Sequence, residues 1–122
     1  MKLLFLFVAL NGFLSVALGA FGAHGLEGKI SEKALKAWEK AVTYQMFHTV
    51  AIFIAAILLA KYGGASFLTA GWFFLVGIVL FSGSLYIYAP SGIKAFAMIT
   101  PFGGLAFLIG WVLLGYAIVK VV

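Results

Sequence analysis

Cysteine, arginine and aspartate are absent from this 122-residue chain, prolines number two, and charged residues make up 9%. Without cysteine there is no disulfide framework, no thiolate nucleophile and no cysteine-based zinc or iron–sulfur site. The remaining charge is eight lysines against three glutamates, a net +5. The lysines sit singly at the ends of apolar runs or along one amphipathic segment. That pattern suits anionic lipid headgroups and argues against a nucleic-acid partner. Nucleotide-binding loops are missing too. Gly19, Gly22 and Gly25 are spaced G-x-x-G-x-x-G, and Gly28-Lys29 is followed by Ile30 where a Walker loop needs Ser or Thr.

What fills the chain is apolar surface, 66% of residues with a mean hydropathy of +1.22. A soluble domain is about 45–50% apolar and about 25% charged, and a small one leaves much of its surface in water. Lipid is therefore the expected solvent. A helix needs roughly 20 apolar residues to cross a hydrocarbon core about 30 Å thick, and the sequence offers four such runs. The spans are apolar all round, without the alternation a membrane barrel needs. The expected fold is all-α: one integral membrane domain, residues 1–122, built as a four-helix bundle.

The first span is expected over about 3–23. Lys2 and LLFLFVAL resemble the start of a secretory signal, with Ala17-Leu18-Gly19 as a passable cleavage site. The apolar run nonetheless continues to Ala23, longer than the usual signal core, so it reads as an uncleaved span. From Ser31 to Lys61 no Gly or Pro interrupts a helical pattern. Ser31 is a good N-cap and Glu32 suits the first turn. The first half, about 31–43, spaces Leu35, Trp38 and Val42 on one face, with Lys and Glu mostly opposite. It reads as an amphipathic interfacial arm anchored by Trp38. The second half, about 44–61, reads as span two; the sequence leaves open whether arm and span form one bent helix or two. Lys61-Tyr62-Gly63-Gly64 makes a turn into span three, about 67–88, which ends in Ala89-Pro90-Ser91-Gly92. Thr100-Pro101 reads as N-cap and first helical residue of span four, about 100–119.

The stretch LGAFGAHGL, Leu18 to Leu26, is then a packing surface. Ser15, Gly19 and Ala23 recur every four residues, and Ala106 and Gly110 repeat the spacing in span four. Small residues at that interval let helix backbones approach closely in lipid.

Several ordered motifs carry a resemblance. GAFGAHGL is followed by W-x-x-A-x-x-Y-Q-x-x-H-T (Trp38 to Thr49) and LFSGSLY (Leu80 to Tyr86). TPFGG (Thr100 to Gly104) and Gly110-Trp111 come last. Together they resemble the YgdD/YwdK-type family of small bacterial inner-membrane proteins, which has eukaryotic relatives. The resemblance spans nearly the whole chain and implies a four-span protein of the bacterial cytoplasmic membrane. No established activity comes with it.

Polar side chains define the candidate site. His24 ends span one; Tyr44, Gln45, His48 and Thr49 begin span two; Ser82, Ser84 and Tyr86 close span three; Thr100 opens span four. Alternating span directions place them towards one membrane face, leaving Asn11, Ser15, Ser66 and Thr69 as the sparse polar residues of the other half. Polar groups in a membrane need partners. The leading reading is a structural hydrogen-bond network in a non-catalytic scaffold or assembly component, with no cofactor. Its partners would be membrane lipids, further copies of itself or a larger membrane complex. The alternative is a pocket for a lipid headgroup or quinone, or haem or metal ligation by His24 and His48. Ser82 or Ser84 with His48 lacks an obvious carboxylate for hydrolysis, so an enzyme is not expected. Lys2, Lys61 and Lys120 share one side, and Lys29, Lys33, Lys36, Lys40 and Lys94 the other. The raw count favours the termini outside, but the arm lysines are interleaved with glutamates and Lys2 precedes the first span to insert, so the termini are expected in the cytoplasm.

Overall fold

The computed structural model describes residues 2–122 as four long helices: α1 Lys2–Leu26, α2 Glu32–Tyr62, α3 Ala65–Ser91 and α4 Lys94–Val121. Each is long and apolar enough to span a bilayer. Leu6, Phe13, Val16, Met98, Leu108, Val112 and Val119 are all exposed on the outside. Such a surface is stable against hydrocarbon, where outward leucines cost nothing.

Helix boundaries follow local chemistry. The Ser31 hydroxyl caps α2 by accepting from the Ala34 N–H at 3.1 Å. The α2–α3 turn needs positive φ at two successive residues, +71° at Gly63 and +100° at Gly64, conformations that only glycine adopts freely. The helices pack in chain order, α1 on α2, α2 on α3 and α3 on α4; α1 does not reach α4, and α2 barely meets it. The core lies along α2 and α3, around Leu4, Ile52, Phe67 and Phe74.

Two expectations are corrected. The segments 31–43 and 44–61, whose continuity the sequence left open, form one unbroken helix of 31 residues, α2, with no separate arm set apart in it; its rise makes it about 46 Å long. Trp38 is buried, not an interface anchor. Its indole N–H donates to the Leu18 carbonyl of α1 at 2.8 Å, and its ring packs edge-on to Tyr86 at 4.7 Å. A partner helix offers that ring a dry surface as well as a hydrogen-bond acceptor. The second correction concerns Pro101, which lies inside α4, seven residues past its start. Proline removes one helical hydrogen bond, a loss that membrane helices tolerate where neighbours support them. Here Thr100 is tied to α3, and Gly103 rests on it.

Short π-helical turns, Gly22–Leu26 in α1 and Val79–Gly83 in α3, break the α-helical register. The small-residue stripe of α1 differs by one residue from the expected one: Ser15 is buried, but Ala23 is exposed and Gly22, seven residues after Ser15, takes its place. A Cβ on Gly22 would stand 2.5 Å from the Trp38 ring, and one on Gly19 3.3 Å from Val42. Ala106 and Gly110 are buried as the spacing predicts. Gly110 belongs to a reciprocal arrangement between α3 and α4. Phe74 lies over Gly110, Phe107 over Gly77, and the Phe81 backbone over Gly103. Each glycine is the socket for a phenylalanine of the facing helix.

Candidate functional site

The single Asn and single Gln of the chain meet. Gln45 is buried on α2; its amide N–H donates to Asn11 Oδ1 of α1 at 2.9 Å, and its Oε1 accepts from the Tyr86 hydroxyl of α3 at 2.7 Å. Asn11 in turn donates to the Phe7 carbonyl at 2.9 Å, and Thr49 Oγ1 donates to the Gln45 carbonyl at 2.5 Å. Three helices are thereby joined through one amide. Asn11 was expected in the sparse opposite half; it is instead part of the network. The signal for it was present in the sequence, a lone amide in an apolar span.

The remaining polar residues form similar ties. Ser82 Oγ donates to the Ala41 carbonyl at 2.7 Å, joining α3 to α2. Ser84 Oγ donates to its own helix at Phe81 O and lies 2.6 Å from Thr100 Oγ1 of α4. Ser82 reaches inward from the π-turn, where the extra residue rotates the α3 backbone.

His48 sits near the middle of α2. Its Nε2 is 3.0 Å from the Trp111 Nε1 of α4, and its Nδ1 is 2.8 Å from the Tyr44 carbonyl. The tautomer follows from the partners. Indole N–H only donates and a carbonyl only accepts, so Nε2 carries the lone pair and Nδ1 the proton. The imidazole is neutral, with both nitrogens occupied. It stacks flat on Phe107, centroids 3.5 Å apart at 9°, the same ring that fills the Gly77 socket.

His24 is exposed and takes no part in these bonds. No cluster of three or more His, Cys, Asp or Glu occurs among the described residues. Neither Ser82 nor Ser84 hydrogen-bonds to His48. Tyr44 is exposed, stacked on Phe81 at 4.4 Å. Trp38, Trp111, Phe107 and Gly103 are the participants that sequence reasoning left out of the site. Trp111 was visible only as part of the Gly110-Trp111 motif.

Because α2 and α4 scarcely touch, a cleft of about 790 Å³ opens between them. Its wall carries six aromatic rings: Tyr44, Phe47, His48, Phe81, Phe107 and Trp111.

These features define a multi-pass helical membrane protein whose spans are cross-linked by buried polar side chains. The chain belongs to the family described as protein of unknown function DUF423, whose model matches residues 18–104. It is 50% identical over 121 residues to the UPF0382 membrane protein YwdK of Bacillus subtilis, with 98% of each chain covered. It is 47% identical over 123 residues to the UPF0382 membrane protein SAB0533 of Staphylococcus aureus, again with 98% of each covered. No solved structure gives a significant match.

Proposed function

We propose that this protein is a non-catalytic structural component of the bacterial cytoplasmic membrane. It would act as a preformed helical scaffold that assembles with its own copies or with a larger membrane complex. One observation carries this reading: among the described residues, no buried side-chain nitrogen or oxygen lacks a hydrogen-bond partner. Six of the side-chain bonds run between helices, from Trp38, Gln45, Ser82, Ser84, Tyr86 and Trp111. A site built for chemistry would hold some donors and acceptors in reserve for a substrate.

Substitution of His48 tests it. His48→Gln keeps an acceptor for the Trp111 N–H and is expected to lower stability by less than about 1 kcal/mol. His48→Leu strands that N–H and is expected to cost about 1–3 kcal/mol. Thermal unfolding in detergent reads both, and absorbance and elemental analysis of the same samples read bound cofactor. Stoichiometric haem or metal in wild type, lost in His24→Gln and His48→Gln with the fold intact, would overturn the scaffold reading.

The termini are placed in the cytoplasm because Lys2 precedes the first helix to insert. The five lysines of the opposite face, against three on this one, pull the other way under the positive-inside rule. A reporter fused at Val122 is expected to be active only as a cytoplasmic fusion; activity outside the membrane would reverse the orientation.

A second reading, binding of an apolar ligand, is favoured by the aromatic cleft between α2 and α4. Of the polar residues in its wall, His48 is already fully bonded, which favours a ligand held by its hydrocarbon.

A further inference from the structure

A second hollow, of about 350 Å³, adjoins the aromatic cleft and shares Phe81 and Pro101 with it as walls. Lys40 and Thr100 also line it. The two hollows make one seam down the α2–α4 face, changing character along its length. At one end is the ammonium of Lys40; at the other are the rings of His48, Phe107 and Trp111, near the helix midpoints. Lys94 stands three residues before Ala97, a wall residue, and seven before Pro101. That spacing places all three on one face of α4, so exposed Lys94 stands one turn before the hollow on the face that lines it. No carboxylate lies within ion-pairing distance of either lysine among the described residues, and the glutamates nearest in sequence to Lys40 and Lys94 are on α2 or before it. A cationic mouth on an apolar, ring-lined trough is the complement of an anionic amphiphile.

We propose that this seam is a binding site for one anionic phospholipid, with its phosphate between Lys40 and Lys94 and one acyl chain laid along the aromatic cleft. This rests on the second, ligand-binding reading above. Three features support it. The cleft volume lies within the range of small-molecule sites, about 300–1,000 Å³. The lysine stems can lie along the apolar wall while their ammonium groups stay at headgroup level. Gly104, in the cleft wall, has open space where its Cβ would be, with nothing within 4 Å. A larger residue there would occupy the trough, so glycine keeps it clear. Thr43, one turn below Lys40 and in the cleft wall, offers a hydroxyl to the ester region of the lipid.

The test is a titration of the full-length protein, in a neutral detergent, with phosphatidylglycerol or phosphatidylcholine of identical chains. Bound lipid is counted by native mass spectrometry. Wild type is expected to hold one phosphatidylglycerol per chain at least fivefold more tightly than phosphatidylcholine. Lys40→Gln combined with Lys94→Gln is expected to erase the preference without moving the thermal midpoint. Gly104→Phe, which fills the trough, is expected to reduce occupancy by either lipid at least fivefold; Leu108→Trp provides the same blockade should the glycine variant fold poorly. Equal lipid retention by wild type and a folded blocking variant would overturn the proposal. So would a dimer that the blocking variant dissociates, because a second copy would then occupy the seam. Either failure leaves the scaffold reading intact, since that reading is decided by cofactor content and by the His48 variants.

Discussion

Gly103→Ala is expected to be the most damaging single-methyl addition in the bundle. A Cβ at Gly103 would stand 2.3 Å from the Phe81 backbone nitrogen and 2.7 Å from its Cα. A flexible side chain could swing away from such a clash, but here the obstructing atoms are main chain, within the π-turn that aims Ser82 at α2. Relief therefore requires α3 and α4 to separate, which also loosens the Ser84–Thr100 contact and the Phe107–Gly77 socket. Overpacking costs typically 1–3 kcal/mol, and this site belongs at the upper end, about 3 kcal/mol. The thermal midpoint in detergent should fall by roughly 10 °C. Gly104→Ala is the matched control, because its added methyl meets nothing within 4 Å; its midpoint should stay close to wild type. Equal midpoints for the two variants would mean that α4 does not approach the π-turn as closely as described.

Gln45→Leu is expected to have the second large effect, with a signature that isolates its cause. Leucine fits the volume but leaves Asn11 Oδ1 without a donor and the Tyr86 hydroxyl without an acceptor, on two different helices. An unsatisfied buried group costs about 1–3 kcal/mol. Side-chain hydrogen bonds between membrane helices average less, about 0.6 kcal/mol with a maximum near 1.7. About 2 kcal/mol is a reasonable figure for losing two at once. The triple variant Gln45→Leu, Asn11→Leu, Tyr86→Phe should regain most of the loss, because removing all partners together leaves nothing unpaired. Unfolding of the single and triple variants measures this directly. A triple variant less stable than Gln45→Leu would show that the network contributes through its geometry and not merely by satisfying its own members.

The reciprocal sockets and the polar ties explain how so apolar a chain holds one arrangement. In lipid no hydrophobic effect drives helices together, so association depends on close packing and interhelical hydrogen bonds. The Phe–Gly pairs supply the first between α3 and α4. Bonds from Trp38, Gln45, Ser82 and Tyr86 supply the second for α1, α2 and α3. Among the described residues, His48–Trp111 is the one side-chain hydrogen bond between α2 and α4, beside the stacking of His48 on Phe107.

Much of this was legible in the sequence because its causes are local. Hydropathy summed over 20 residues marks a span whatever its neighbours are, so four helices follow directly. Ser31 caps its own helix, and Gly63-Gly64 turns its own chain. The polar residues of the site were also identifiable one by one, since each is conspicuous against an apolar background. What could not be read was which of them meet. Leu35, Trp38 and Val42 make the same stripe whether they face a bilayer interface or α1, and only the Leu18 carbonyl and the space above Gly22 decide for α1. Thr100-Pro101 has the form of a helix start, yet α4 begins at Lys94 and runs through it. His24 and His48 looked equivalent, but one ends exposed and the other is enclosed by Phe107 and Trp111. Rotation about the helix axis decides the packing stripe in the same way: Gly22 faces Trp38 of α2 and Ala23 is left exposed. The sequence thus determined the solvent, the number of helices and the stock of polar groups, because those depend on composition and on neighbours along the chain. Tertiary structure alone decided their pairing, because a hydrogen bond between helices depends on rotation and depth, to within a fraction of a turn, of segments up to 63 positions apart, as with His48 and Trp111.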